Sequence, residues 1–204
     1  MLDKSIPEKS IIMKAPASSI NKICPKAPPE GCCIRLFKDG DEKHWADIET
    51  SVSEFADKSM ALAYFMRDYY RPSPDMLKKR CVFITKDDIP IATASAWEIN
   101  GQPSIHWLAV KPGYQHNGIG RAVLEAALFL YKSLSPGRDI YVHTRTWSYK
   151  AVCLYHSLGF SLVMDESIAK AGGGFHANEN YEALKVLKEV ISPQLYGELI
   201  KTII

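Results

Sequence analysis

The most constraining stretch of the chain runs from residue 108 to residue 132. There an apolar strand meets a turn that opens directly into an amphipathic helix. Leu108, Ala109 and Val110 close the strand, Lys111, Pro112 and Gly113 turn the chain, and Gln115, His116, Asn117, Gly118, Ile119, Gly120 and Arg121 lead into the helix. Beyond them Ile119, Ala122, Val123, Ala126, Ala127 and Leu130 recur as one helical face. The first N–H groups of a helix have no internal partners, and the helix dipole favours negative charge beside them. Two glycines at that point let the oxygens of an anion approach the backbone closely. The segment therefore predicts a diphosphate site.

Two common diphosphate folds are excluded at named positions. A dinucleotide fingerprint needs a third glycine, and Val123 stands there. No run has the glycine-lysine pattern of a mononucleotide loop. The preceding strands also read as antiparallel hairpins. Residues 81–85 form a strand ended by Asp87 and Asp88, residues 91–97 form the next, and the Asn100-Gly101 turn leads into residues 105–110.

The other elements follow from periodicity and punctuation. A strand is expected over 33–37, a helix capped by Asp41 and running through Trp45, Ile48, Val52 and Phe55, and a second helix over about 58–70. After the central helix come a strand at 140–143, a helix at 148–157 capped by Gly159, and a strand at 160–163. Gly172, Gly173 and Gly174 break the chain, and two short helices follow, split at Ser192-Pro193. Residues 1–30 hold five of the twelve prolines and read as an extended Pro-rich arm. Residues 31–204 read as one domain with a C-terminal helical extension from about 175, since 204 residues suit a single core.

Composition removes several functions. With 25 basic and 23 acidic residues the net charge is +2, which gives no case for a nucleic-acid or anionic-membrane surface. No apolar run is long enough to span a bilayer, and the first residues lack the apolar core of a secretion signal. Five cysteines, an odd number at low density, indicate a reducing, cytoplasmic setting. Adjacent Cys32 and Cys33 lack zinc-site spacing, so no metal is expected.

Two segments, in order and on matching elements, carry a family resemblance. Gln115-x-x-Gly118-x-Gly120, just after Val110-x-Pro112, resembles the acetyl-CoA pyrophosphate loop of the GNAT superfamily of N-acetyltransferases. The run from Ser148 through Ala151, Leu154 and Tyr155 to Gly159 and Phe160 is similar to the family's second helix-and-strand segment. The resemblance implies an α/β fold with a mixed, mostly antiparallel central sheet flanked by helices, and acetyl-CoA as cosubstrate. It implies that the amides from Gln115 to Arg121 cradle the pyrophosphate, that Leu108, Ala109 and Val110 meet the pantetheine arm, and that Tyr155 protonates the leaving thiolate. The expected reaction is direct attack of an amine, from a small molecule or a peptide, on the thioester. Ser148 stands where the family often has Asn; it can still hydrogen-bond but reaches less far.

The base has two candidates. His106 shares a strand face with Ser104, Leu108 and Val110 by alternation, and some family members carry a relay histidine at this place. Glu98, at the end of the preceding strand, competes with it. Tyr155 and His106 also have plain readings, as a core tyrosine and a half-buried strand histidine. His116 reads as solvated loop surface or as a phosphate contact. Lys111 and Arg121 read as solvated or as screening phosphate charge, and His143 and His176 read as structural. Trp45, Phe55, Tyr64, Phe65, Tyr69 and Tyr70 fall on or beside the first two helices, where they either fill the core or border the acceptor cleft. Two further functions stay open at this stage: a catalytically idle acyl-CoA-binding module and a transferase of longer acyl groups.

Overall fold

The structure, a computed structural model, describes residues 2–204. The elements run β1 (Ser10–Ala15), α1 (Ala17–Lys22), β2 (Cys32–Leu36), α2 (Glu42–Ser51), α3 (Lys58–Phe65) with a π-helical turn (Met66–Tyr70), and α4 (Pro74–Arg80). Then come β3 (Cys81–Lys86), β4 (Ile89–Ile99), β5 (Gln102–Val110), a 3-10 turn (Pro112–Tyr114) and α5 (Ile119–Leu134). β6 (Ile140–Arg145), a 3-10 turn (Thr146–Ser148), α6 (Tyr149–Ser157), β7 (Ser161–Leu162), α7 (Asn180–Val190) and α8 (Pro193–Lys201) complete the chain. The architecture is the expected mixed α/β one, with mostly antiparallel strands flanked by helices.

The chain divides into two compact units. The first comprises residues 23–97 and 105–134. In it β2 pairs antiparallel with β3, and β3 with β4, Phe83 lying opposite Arg35 and Thr93. Asp87 and Asp88 both take positive φ, which makes the tight two-residue turn that the sequence signals. Trp45, Ile48, Phe65, Phe83, Ile84, Val123 and Leu128 are fully or almost fully buried. The α5 face is wider than the sequence periodicity indicates. Leu124, Leu128 and Tyr131 are buried, whereas Ala126 and Leu130 line a shallow apolar groove of about 300 Å³ with Ile34, Leu36 and Phe129.

Local chemistry explains two departures from the sequence expectation. Asp41 precedes α2 but does not cap it. Its carboxylate instead accepts from Arg35 Nη1 and Nη2 at 2.6 and 2.8 Å and from the Lys38 amide at 2.7 Å. α4 is an additional helix, started by Pro74 at its first position and closed by Lys78, Lys79 and Arg80 in its last turn. On α2, Glu49 is 1% exposed, and its Oε1 has no hydrogen-bond partner. Burial, then the nearby Glu54, holds its carboxyl well above the usual range.

The second unit comprises residues 2–22, 98–104 and 135–204. Here β1 lies between β6 and β7, antiparallel to both. The Pro-rich arm thus contains a core strand: Ile11, Ile12, Met13 and Ala15 are completely buried. Both faces of β1 are covered, so its apolar run shows no alternation in sequence. β7 is only two residues long, and side chains of the C-terminal segment continue its pairing. Glu179 Oε2 accepts the Ser10 amide at 2.8 Å and Asn180 Oδ1 the Ile12 amide at 3.2 Å. Asn180 Nδ2 donates to Ile12 O and Val163 O, each at 2.8 Å.

The second helix-and-strand segment is built as expected. α6 closes with Phe160 N–H on Tyr155 O and Gly159 N–H on His156 O, and Gly159 takes φ +90°. A Cβ there would stand 2.9 Å from Ser19 Oγ, a second reason for glycine. Ser192 caps α8, its hydroxyl accepting from Leu195 N–H at 3.3 Å.

Candidate functional site

In the first unit the turn between β5 and α5 is a surface loop. His116, Asn117 and Gly118 are exposed, and Ile119 is the first buried residue of the helix. The first helical bond runs from Ala122 N–H to Gly118 O at 3.0 Å, so the amides of Ile119, Gly120 and Arg121 lie ahead of the ladder. His116 and Gly118 both take left-handed φ, +65° and +79°. A Cβ on Gly118 would meet nothing within 4 Å, which leaves the backbone there open to an approaching oxygen. The donor set and the open backbone fit a pyrophosphate.

The loop is tied down on both flanks. The Lys111 amide donates to Ile91 O at 2.9 Å, and the Gln115 side-chain amide donates to Val110 O at 2.9 Å. Lys111 also ion-pairs with Asp47, which pairs in turn with Lys58. Both lysines hold the Asp47 carboxyl below its ordinary value, Lys111 most strongly. Arg121 Nε contacts Glu125 Oε1 at 2.9 Å, one turn along α5, so neither cation is simply solvated.

β5 does not keep its alternation. Trp107 takes φ +54° inside the strand, a left-handed conformation that interrupts the pleat as a bulge does. His106, Trp107 and Leu108 are consecutively half-buried, whereas Ala109 and Val110 are buried. The expectation that Ser104, His106, Leu108 and Val110 share one face therefore fails at Trp107, because period two holds only for an unbroken pleat.

One hydroxyl gathers this region. Trp107 Nε1–H donates to Tyr69 Oη at 2.7 Å, and His106 Nδ1 lies 2.7 Å from the same oxygen. Tyr69 is 2% exposed, and its ring stacks on Phe65 at 6.0 Å and packs against Trp97 at 4.7 Å. Burial pushes its phenol well above the ordinary value of 10. Burial raises the Tyr64 phenol as well. Around them Trp45, Phe55, Tyr64 and Trp107 pack with ring centroids 5.2 to 6.4 Å apart. Trp45 and Phe65 fill the core; Phe55, Tyr64 and Trp107 stay half-buried.

The remaining candidates belong to the second unit. Glu98 Oε2 accepts from Ser135 Oγ at 3.5 Å. Ser148 ends the 3-10 turn before α6, half-buried, with no side-chain capping bond. Tyr155 is 4% exposed, with its ring 5.5 Å from Phe160. His143 and His176 stack at 3.6 Å, and His143 Nε2 lies 2.8 Å from Ser10 Oγ, an arrangement their sequence spacing gives no hint of. Burial pushes the Cys81 thiol up to about 11, which leaves it un-ionised. Among the described residues no group of three or more His, Cys, Asp or Glu could hold a metal, and no helix is long and apolar enough to cross a membrane.

The family model for the acetyltransferase (GNAT) family matches residues 33–160, more than half of the chain. The chain belongs to the GNAT family. The match spans both the glycine loop and the α6 segment, the two stretches that carry the sequence resemblance. Solved structures show the same fold. A GCN5-related N-acetyltransferase from Sphaerobacter thermophilus aligns at TM-score 0.57 and 20% identity over 77% of this chain and 49% of its own. A tandem GNAT protein from the clavulanic acid biosynthesis pathway aligns at 0.58 and 13%, over 78% and 51%. The ribosomal-protein-S18-alanine N-acetyltransferase from Escherichia coli aligns at 0.52 and 19%, over 73% of this chain and 97% of its own. The GNAT chain thus spans about half the length of the first two structures. No curated protein matches it significantly.

Sequence reasoning places Tyr69 only among the aromatics that fill the core or border the acceptor cleft, with no link to His106. Tyr69 stands at helical spacing among apolar neighbours and 37 positions from His106, so only the fold reveals their contact.

Proposed function

We propose that this GNAT protein transfers an acetyl group from acetyl-CoA to a primary amine of a small molecule or peptide. The observation that carries the proposal is the exposed loop at the start of α5, with left-handed Gly118 open to an anion. The amides from Gln115 to Arg121 bind the pyrophosphate, and Leu108, Ala109 and Val110 meet the pantetheine arm. Ser148 contributes a weaker polar contact.

His106 takes a proton from the acceptor ammonium. The freed amine attacks the thioester carbonyl, a C–N bond forms, the C–S bond breaks, the thiolate leaves with a proton from Tyr155, and the proton shed by the new amide nitrogen restores the Tyr155 phenol. His106 is preferred to Glu98 because a buried hydroxyl holds its ring. The five cysteines are unpaired, with Cys24 and Cys33 exposed, which supports a reducing, cytoplasmic setting.

Calorimetric titration of the chain with acetyl-CoA, with NAD and ATP as controls, tests the first step. Binding of acetyl-CoA alone is expected. Turnover of an amine panel then separates the enzyme from an idle binding module, and octanoyl-CoA in place of acetyl-CoA tests the length of the acyl group. A folded protein with no affinity for acetyl-CoA would overturn the proposal.

A further inference from the structure

We propose that the acceptor is an apolar, ring-bearing primary monoamine, whose body lies on a wall made by Phe55, Tyr64 and Trp107 beside His106. The proposal rests on the reading of His106 as the base and narrows the acceptor from any primary amine to one class.

One buried oxygen sets the wall next to that base. Tyr69 Oη accepts from Trp107 Nε1–H at 2.7 Å and lies 2.7 Å from His106 Nδ1, so imidazole and indole are held side by side. Phe55 and Tyr64 extend the indole into a patch. Ring centroids lie 5.5 Å apart for Phe55 and Trp107, 5.2 Å for Tyr64 and Trp107, and 5.4 Å for Phe55 and Tyr64. All three rings are half-buried, as His106 is, whereas Trp45 and Phe65 are 0% and 1% exposed. Single exposed apolar residues are common on any surface, but a contiguous patch marks an interaction site. Trp107 also holds a left-handed φ of +54°, and backbone strain of this kind clusters at ligand sites.

The spacing of the rings decides what the patch can hold. Centroids 5.2 to 5.5 Å apart are in direct contact, so no gap between them admits a cationic head, and the rings offer an outer surface rather than a cage. A cation of the chain already lies on one ring, with Arg67 Cζ 5.6 Å from the Tyr64 centroid. Carboxylates on the surrounding elements are engaged as well. Asp47 pairs with Lys111 and Lys58, and Asp57 caps α3 by accepting the Met60 amide at 2.9 Å. Asp68 accepts from Arg67 Nε at 2.8 Å and from Nη2 at 2.7 Å. A polyamine or a lysine-rich peptide would bring its further ammonium groups up against the chain's own cations. A single ammonium at His106 with a flat apolar body on the rings meets both conditions: apolar area leaves water, and no second charge needs a counter-ion.

Acetyl transfer by the full chain to 2-phenylethylamine, propylamine, spermidine and a lysine-rich peptide tests the class. The kcat/KM for 2-phenylethylamine is expected to exceed that for propylamine at least about tenfold, the scale on which apolar pockets separate substrates. Spermidine and the peptide are expected to do no better than propylamine. Phe55→Ala is expected to narrow the gap between the two monoamines about tenfold. Phe55→Leu, which keeps an apolar side chain in place for folding, should narrow it by less. Propylamine or spermidine used as well as 2-phenylethylamine would overturn the proposal, as would a gap that both Phe55 variants preserve.

Saturation-transfer NMR of 2-phenylethylamine with the full chain, without acetyl-CoA, reads the wall independently of turnover. Ring-proton signals that weaken in the Phe55 variants, with no turnover of any amine, would remove the transfer reading and keep the wall as a binding site for such an amine. Neither turnover nor saturation transfer in the folded wild type would overturn the proposal.

Discussion

Replacing Gly118 by alanine tests the loop with its own internal control. Gly118 has φ +79° and Gly172 has φ +87°, and a Cβ at either meets nothing within 4 Å. Neither substitution creates a clash, so each costs only the strain of a left-handed alanine, about 1–2 kcal/mol. With a urea slope of about 2 kcal/mol/M, each variant is expected to lose roughly 0.5–1 M in its unfolding midpoint. The two should part company in ligand binding. At Gly118 the added methyl occupies the approach to amides read as pyrophosphate donors. Losing one such charge-assisted bond costs about 1.5–3 kcal/mol, a fall in acetyl-CoA affinity of roughly 10- to 150-fold. Gly172→Ala should bind as the wild type does. Calorimetric titration and urea unfolding on the three proteins measure both quantities. A Gly118→Ala protein that has lost the predicted stability yet binds acetyl-CoA undiminished would refute the assignment of this loop to the pyrophosphate.

Asn180→Leu should leave the Ile12 amide without its acceptor, whereas Ile12 O keeps the Val163 amide and Val163 O keeps Asn178. The expected loss is about 2–3 kcal/mol, mostly the orphaned donor, read as a lower urea midpoint; an unchanged midpoint would contradict the accounting. Glu49 has a raised folded-state pKa, so the folded state binds the extra proton. Its contribution to stability is full below the unfolded value of about 4.5 and is lost as pH rises toward the folded value, by at most about 1.4 kcal/mol per pH unit. Glu49→Gln should therefore flatten the fall in stability as pH rises above about 4.5, and equal slopes in variant and wild type would count against it. Asp47→Asn should weaken the ties of Lys111 and Lys58, with a stability cost well under 1 kcal/mol because the groups are partly exposed; an effect above that on urea unfolding would make the pair a structural anchor.

Most of what positions the loop could be read from the sequence, because it is local. Asn100 and Gly101 take φ +51° and +75°, the turn their identities call for. The start of α5, the Gly159 cap and the Ser192-Pro193 break fall where the residue types place them. What escaped the sequence is non-local. β1 has neighbours on both faces and so lacks a period. The carboxylate of Asp41 is drawn to Arg35 rather than to the helix it precedes. The left-handed Trp107 and the inward Tyr69 each support the other, and neither residue type signals its conformation alone.

The stitching of β1 has a consequence for how the protein is made. Its pairing partners are β6 and β7, and the acceptor of the Ile12 amide lies 168 residues further along the chain. Residues 23–97 and 105–134, the first unit, leave the ribosome before any of them. At roughly 5–20 residues per second, the Ile11-Ile12-Met13 run emerges and then waits on the order of ten seconds or more for a partner. During synthesis this chain carries a sticky, unmatched N-terminal ribbon, and chaperone demand and sensitivity to ribosome stalling should concentrate there.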